Sequence, residues 1–297
     1  MTTLINKPLT LEQVMADAGD LAALPQVVLR VLEISADPRA GVSDLERVIA
    51  TDPALAARIL TLANSAYFGM PRRLSSLREA VVFLGFKSVR TLAQAVTTFA
   101  VFLGKSDTDA LVRRAVWRHS LDTAQCARTL TTLLPPSVHE TFGAEEAFTA
   151  GLLHDIGKMA LDHSRHDLYL SLEAQAAQEG VRYFEVEARA LPFGHGLVGA
   201  TLAQQWNLPP ALCEAIAFHH TPRAAQVNPR LTAAVSLANE TAHALAQDQT
   251  DDPECLALRT RAVEVLGPLR LSGDSLPSLL AACRGELALG WSQVCLT

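Results

Sequence analysis

A histidine and an aspartate stand side by side in the apolar run from Ala150 to Lys158, and these two residues are the best suited in the chain to chemistry. An imidazole nitrogen and a carboxylate oxygen both coordinate borderline and harder transition metal ions. On one continuous helix, His154 and Asp155 would point about 100° apart, so they could converge only on an object held off the helix axis. A divalent cation is the usual such object, and it needs further ligands from elsewhere in the chain.

Four more histidines are candidates for those ligands. His119 lies in an earlier helical segment, His195 follows a glycine, and His219 and His220 are adjacent to one another. Taken singly, a histidine on an apolar helix is more often a buried core or cap residue than a ligand. Five histidines with one aspartate nevertheless make a shared metal site the hypothesis to test.

The composition is that of a globular protein without affinity for polyanions. The chain has 297 residues, of which 49% are hydrophobic, so it can bury a sizeable core in one large domain or two modest ones. Its net charge of −6 and the lack of a clustered basic helix argue against binding to nucleic acid or anionic lipid. The basic pair Arg113 and Arg114 is expected to be solvated.

Cysteine usage and the N-terminus both favour a bacterial cytoplasmic protein. The five cysteines are scattered, with no Cys-x-x-Cys pair, and are expected to be small core residues in a reducing compartment. The N-terminus lacks the charged start and apolar stretch of a signal peptide. No apolar run reaches the ~18 residues expected of a membrane span, so no membrane association is expected.

Helical periodicity, short turns and the lack of strand alternation predict an all-α array of helices. Ser43 and Glu46 have the spacing of a capping box, Thr51 to Pro53 resembles a second helix start, and Ser75 to Glu79 a third. The remaining predicted helices cover residues 24–34, 88–103, 109–134, 145–163, 166–179, 183–190, 195–206, 209–219, 228–247, 255–266 and 275–288.

Many of these segments, in this order, resemble the HDOD family. The matching motifs are Leu24-Pro25, the segment Asp52 to Leu60, Ala63 to Ala66, Ala80 to Gly85, Trp117-x-His119, Gly151 to Gly157, Gly194-His195, Trp206 to Pro209 and His219-His220-x-Pro222. The resemblance implies an N-terminal helical region packed on a bundle related to HD-type metal phosphohydrolases. With boundaries at the polar stretches 104–109 and 248–254, the chain is predicted to have three parts: residues 1–105 as that N-terminal region, 106–247 as the HD-like bundle and 248–297 as a C-terminal helical extension.

The same resemblance extends to the HD-GYP phosphodiesterases of cyclic di-GMP. Their metal site uses a histidine, a His-Asp pair with a nearby lysine, a further histidine, a histidine pair and a final aspartate. The matching positions here are His119, His154, Asp155, Lys158, His195, His219 and His220. The final aspartate is replaced by Asn239, a neutral amide, and the adjacent Glu240 is expected to point about 100° away. A Gly-Tyr-Pro motif is also missing.

Two functions follow from the resemblance. In the first, the chain is a bacterial signalling module that regulates by binding signalling proteins in trans, or a cyclic dinucleotide without turnover, and has no catalytic activity. Loss of the final aspartate favours it, because metal-assisted hydrolysis needs a firmly held cation. In the second, iron, manganese, nickel or zinc bound by Asp155 and the histidines activates water in a metal-dependent phosphohydrolase or cyclic-dinucleotide phosphodiesterase, and Lys158 steadies the phosphate or the water.

Overall fold

The computed structural model describes residues 9–18, 30–31, 33–34, 37, 39–51, 53–64, 74–85, 89, 107–246 and 253–290. These residues form helices and connecting turns, with no strand among them, so the all-α prediction is confirmed. The predicted helices over 24–34 and 88–103 lie largely outside the described residues. The division at residues 105 and 247 stays a prediction.

The helices of the N-terminal region are short. They are α1 (Leu11–Asp17), α2 (Val42–Ile49), α3 (Pro53–Ala63) and α4 (Leu77–Leu84). The bundle that follows contains α5 (Asp107–Thr131), α6 (Pro136–His139), α7 (Ala144–Leu153), α8 (Ile156–Ser164), α9 (His166–Glu179), α10 (Tyr183–Ala190), α11 (His195–Gln205), α12 (Pro210–Phe218) and α13 (Pro229–Ala246). The C-terminal extension contributes α14 (Pro253–Leu266) and α15 (Leu276–Gly290).

The long helix α5 organises the packing, since α7, α13 and α15 all lie against it. One continuous apolar core joins the N-terminal helices to the bundle, with Val14 and Ile59 in the same cluster as Ile156. A second core joins the bundle to the C-terminal extension, with Cys126 of α5 in the same cluster as Cys283 of α15. The predicted packing of an N-terminal region on a helical bundle is therefore confirmed.

Two predicted helix boundaries are wrong. Helix α2 begins at Val42, with Gly41 before it, and Asp44 Oδ2 accepts the Gly41 N–H at 3.0 Å, so the Ser43 capping box does not form. The predicted helix 145–163 is two helices, because α7 ends at Leu153 and α8 begins at Ile156. Residues 147–162 are all buried, so polar and apolar residues do not alternate there and periodicity could not reveal the break.

Arg113 is not solvated, contrary to prediction. Its side chain is buried, and its Nε donates to Asp162 Oδ2 at 2.7 Å, while His166 Nδ1 lies 2.7 Å from Asp162 Oδ1. Its neighbour Arg114 is exposed, as expected. The partner carboxylate lies on another helix, α8, so the sequence around Arg113 could not indicate the pairing.

The cysteines whose side chains the structure describes are buried, as expected. Cys126, Cys213 and Cys283 are buried free thiols, while Cys255 and Cys295 lie outside the described side chains. Within the described part of the chain, no helix has the length and apolar character that crossing a membrane requires.

Helices α8 and α11 cross at two glycines. A Cβ on Gly157 would overlap the backbone carbonyl of His195, and it would lie 2.7 Å from the backbone nitrogen of Gly199. A Cβ on Gly199 would lie 3.0 Å from the backbone nitrogen of Gly157 and 2.9 Å from Ile216 Cγ2. This close approach sets the position of His195 relative to the His154-Asp155 junction.

Candidate metal centre

The structure brings all seven predicted site residues together at a place where several helices meet. Helix α5 carries His119, the α7–α8 junction carries His154 and Asp155, α8 carries Lys158, α11 begins at His195, and His219 and His220 follow the end of α12. His154, Asp155, His195 and His219 are each at most 1% exposed. Because the His-Asp pair lies in a break between helices, its two side chains converge directly, with His154 Nε2 only 3.3 Å from Asp155 Oδ2.

One oxygen of Asp155 faces a group of three histidines. Asp155 Oδ1 lies 3.2 Å from His195 Nε2 and 3.6 Å from His219 Nε2, and the two Nε2 atoms are 3.2 Å apart. Together with His220, these residues offer four donor atoms within 4.8 Å of one another. We call this set the Oδ1 group.

The other oxygen of Asp155 faces a second group. Asp155 Oδ2 accepts a hydrogen bond from Lys158 Nζ at 2.8 Å and lies 3.7 Å from His119 Nε2. With His154, these donors form the Oδ2 group, and a metal ion could also be held there by His119, His154 and Asp155. The amide of Asn239 lies against this group, with Oδ1 2.9 Å from His119 Nε2.

Three of the imidazoles are oriented by an acceptor on their outer nitrogen. The Nδ1 acceptors are the Gly151 carbonyl for His154 at 2.7 Å, the Ile216 carbonyl for His219 at 2.8 Å and the Glu187 carboxylate for His195 at 2.7 Å. A carbonyl or carboxylate oxygen can only accept, so each Nδ1 carries the proton. An imidazole that is protonated at Nδ1 alone has the lone pair of Nε2 available to bind a metal ion.

The donor set fits a divalent transition metal ion. Among the described residues, His154 Nε2, Asp155 Oδ1 and His220 Nε2 are buried without a hydrogen-bond partner. Leaving such atoms unsatisfied is costly, and a cation bound in the centre would satisfy those atoms that coordinate it. Several imidazoles with one carboxylate suit iron, manganese, nickel or zinc.

Comparison with known proteins agrees with the family resemblance of the sequence motifs. The HDOD domain family model matches residues 21–222. The chain belongs to the HDOD family. The chain is also 28% identical over 223 residues to an uncharacterised protein of Treponema pallidum (strain Nichols). This match covers 75% of the chain but only 42% of the relative's length.

Solved structures show the same fold. An HDOD domain protein of unknown function from Geobacter sulfurreducens has a TM-score of 0.69 at 24% identity, covering 93% of the HDOD chain and 97% of the other. A protein provisionally named a phosphohydrolase, from Shewanella amazonensis SB2B, has a TM-score of 0.71 at 24% identity, covering 95% and 98%. A provisionally named signal transduction protein from Marinobacter aquaeolei VT8 has a TM-score of 0.70 at 19% identity, covering 98% and 62%.

Burial and neighbouring charges set the protonation of the HDOD centre. Burial alone would raise the pKa of Asp155, but His154 and Lys158 hold that pKa well below its usual range. Burial alone would lower the pKa of His195, but the carboxylates of Glu187 and Asp155 raise it to about 9. Without a metal ion, His195 is therefore protonated near neutral pH.

Four histidines in or beside the centre have a lowered pKa instead. Burial lowers the pKa of His119 to about 3. Burial, with the neighbouring histidines as a further cause, also lowers the pKa values of His219, His220 and His243 well below the usual 6.5.

These shifts predict the pH dependence of the metal-free protein. The four histidines with a lowered pKa stay neutral in the folded chain but bind protons in the unfolded chain below pH 6.5. The free energy of unfolding therefore falls as the pH falls below that value. His195, whose pKa is raised, contributes its full stabilisation below pH 6.5, and this contribution is lost as the pH rises through about 9. Urea midpoints measured from about pH 5 to 9.5 in a chelator should therefore peak near neutrality. Stability that keeps rising toward pH 5 would contradict the prediction.

Three residues of the centre were not found from sequence. Glu187 is buried and hydrogen-bonds His195. His243 packs on His119 with ring centroids 4.1 Å apart, and Tyr183 has a buried hydroxyl with no hydrogen-bond partner. Only His243 had a usable signal, because it lies four residues after Asn239 and so on the same helix face.

The expectation for Glu240 is met. Its carboxylate points away from the centre and accepts a hydrogen bond from Arg182 at 3.0 Å. It therefore does not take the place of the aspartate that Asn239 replaces.

Proposed function

We propose that this chain is a regulatory HDOD module that acts by binding signalling proteins, without catalysis, and that its buried centre holds one divalent transition metal ion as a structural element. The observation that carries the proposal is the burial of the donors, each of the four inner side chains being at most 1% exposed. Catalytic metal sites keep one coordination position open to water and substrate, whereas structural sites are closed.

The Oδ1 group is the half of the centre that suits the ion better. On the Oδ2 side, the ammonium of Lys158 already neutralises the carboxylate oxygen at 2.8 Å, and Asn239 engages His119. On the Oδ1 side, Asp155 Oδ1 and His220 Nε2 have no hydrogen-bond partner. One ion bound by Asp155, His195, His219 and His220 would use these two atoms and leave the contacts of Lys158 and Asn239 in place.

Such an ion would stabilise the arrangement of the bundle. Its four ligands come from the α7–α8 junction, the start of α11 and the residues after α12. Because the unfolded chain has no preformed site, the binding free energy adds to folding stability. A regulatory module gains from this a fixed surface for its partners.

A metal-dependent phosphodiesterase acting on a cyclic dinucleotide is the second candidate. It is favoured by Lys158 and His119, whose side chains are 11% and 15% exposed and form the more open side of the centre. A metal ion bound there would supply an activated water. Lys158 would bind the phosphate, and His119 would hold the ion together with His154 and Asp155.

Elemental mass spectrometry of the untagged protein tests the metal proposal. We expect one equivalent of ion in the wild type and in the control variant His139→Ala, whose histidine is exposed and outside the centre. We expect none in His219→Ala. A wild type that holds no ion after incubation with excess iron, manganese, nickel or zinc would overturn the metal part of the proposal, and two equivalents would overturn the assignment to one group.

Turnover of the loaded protein separates the two candidates. Hydrolysis of cyclic di-GMP or bis(p-nitrophenyl) phosphate should be absent for a regulatory module. Turnover that is lost in both Asp155→Asn and Lys158→Ala, and kept in His139→Ala, would establish the phosphodiesterase instead.

A further inference from the structure

Glu187 makes two hydrogen bonds to a single residue of the centre. Its Oε1 accepts the backbone N–H of His195 at 2.9 Å, and its Oε2 accepts the ring Nδ1–H of His195 at 2.7 Å. The side chains of both residues are buried, at 2% and 1% exposed. A bidentate contact of this kind fixes the position of the backbone and the rotation of the ring together.

This anchor differs in charge from the two others. His154 and His219 donate Nδ1–H to backbone carbonyls, which are neutral. Among the described residues of the centre, His195 alone has its outer nitrogen bound to a carboxylate. When one nitrogen of an imidazole donates a hydrogen bond to an anion, the other nitrogen becomes a stronger electron-pair donor to a metal ion. Such carboxylate–histidine pairs commonly support metal-bound histidines.

The start of α11 would otherwise leave His195 poorly fixed. The residue before it, Gly194, has no side chain to cap the helix, and the Glu187 carboxylate takes the backbone N–H of His195 in place of a cap. A Cβ on Gly194 would lie 3.1 Å from Glu187 Oε2, so the glycine leaves room for the carboxylate to reach the ring.

We propose that Glu187 is a positioning residue of the metal centre: it holds the His195 ring with Nε2 directed at Asp155 Oδ1 and increases the affinity of His195 for a divalent ion. This inference rests on the proposed metal site. It assigns to Glu187 a contribution to metal affinity beyond its contribution to folding.

A double-mutant cycle with Zn²⁺ as the probe tests this assignment. Zinc affinity is measured by competition with a chelating indicator for the wild type, Glu187→Gln, His195→Ala and the double variant. Glu187→Gln keeps the size of the side chain but removes its charge and one acceptor, and should weaken zinc binding about 10- to 100-fold. In the His195→Ala background, the same change should alter zinc affinity by less than about 3-fold, because the residue through which Glu187 acts is gone.

The matched control is Asp162→Asn, which makes the same kind of change at another buried carboxylate. Asp162 pairs with Arg113 and His166, away from the ligand atoms. This variant should lower stability but leave zinc affinity within about 3-fold of the wild type.

Each outcome bears on a different claim. A wild type that binds no zinc overturns the metal proposal and this inference together. Zinc bound equally tightly by the wild type and Glu187→Gln overturns this inference alone. Equal losses of affinity in Glu187→Gln and Asp162→Asn, or additive losses in the cycle, would show that the effect is general destabilisation and would also overturn it.

Discussion

Replacing Asp155 with alanine is expected to remove the metal ion and to destabilise the metal-free protein by about 3–5 kcal/mol. Asp155 is the buried anion beside Lys158, whose ammonium lies 2.8 Å from Oδ2 and whose side chain is only 11% exposed. Without the carboxylate, that ammonium is left buried with no partner, which is the costly way to break an ion pair. The same change removes the carboxylate oxygen that lies 3.2 Å from His195 Nε2.

Chemical denaturation in a chelator measures this effect apart from metal loss. The control is Asp167→Ala, an exposed aspartate in the first turn of α9, where a change within about 1 kcal/mol is expected. Adding Lys158→Met to Asp155→Ala should restore part of the lost stability, because the unpaired charge is then gone. Equal stabilities of Asp155→Ala and Asp167→Ala would show that the buried pair does not form.

Replacing Gly157 with alanine is expected to cost about 3 kcal/mol or more and to remove the metal ion as well. The added Cβ would overlap the backbone carbonyl of His195. A carbonyl of the main chain cannot swing aside as a side chain can, so helices α8 and α11 must move apart. That movement carries His195 away from Asp155, and metal affinity should fall with stability.

The control for this change is Gly285→Ala in α15. Gly285 is exposed, and a Cβ there would meet nothing within 4 Å. The substitution should stabilise the helix by about 0.5–1 kcal/mol. Thermal unfolding and zinc content of the two variants, measured side by side, give the comparison. Stability and zinc content close to the wild type in Gly157→Ala would contradict the tight crossing.

The sequence predicted most of the centre because its residues occur in recognisable local motifs. It also located several helices closely: the structure has α9 at His166–Glu179, as predicted, where Gly180 ends the helix with φ of 66°. A single residue is enough to predict such a boundary, since glycine adopts the left-handed conformation without a steric cost.

What the sequence could not show depends on contacts between distant segments. Arg113 was expected in water, because the carboxylate that pairs with it lies on another helix. Glu187 lies in a short helix outside the recognised motifs, and only the turn into α11 brings it onto His195. The break at His154 was hidden because the residues on both sides are buried all round, so the strongest clue to a helix end, a change of exposed face, was missing.

The donors of the Oδ1 group are far apart along the chain, with 24 residues separating His195 from His219. Bringing such segments together requires closing the loops between them, so we expect the complete set of ligands to form late in folding. Interactions that are absent from the folding transition state slow unfolding and have little effect on the rate of folding. A metal ion in this centre would therefore lengthen the lifetime of the folded module. Loss of the ion would increase the rate of unfolding and change the rate of folding little.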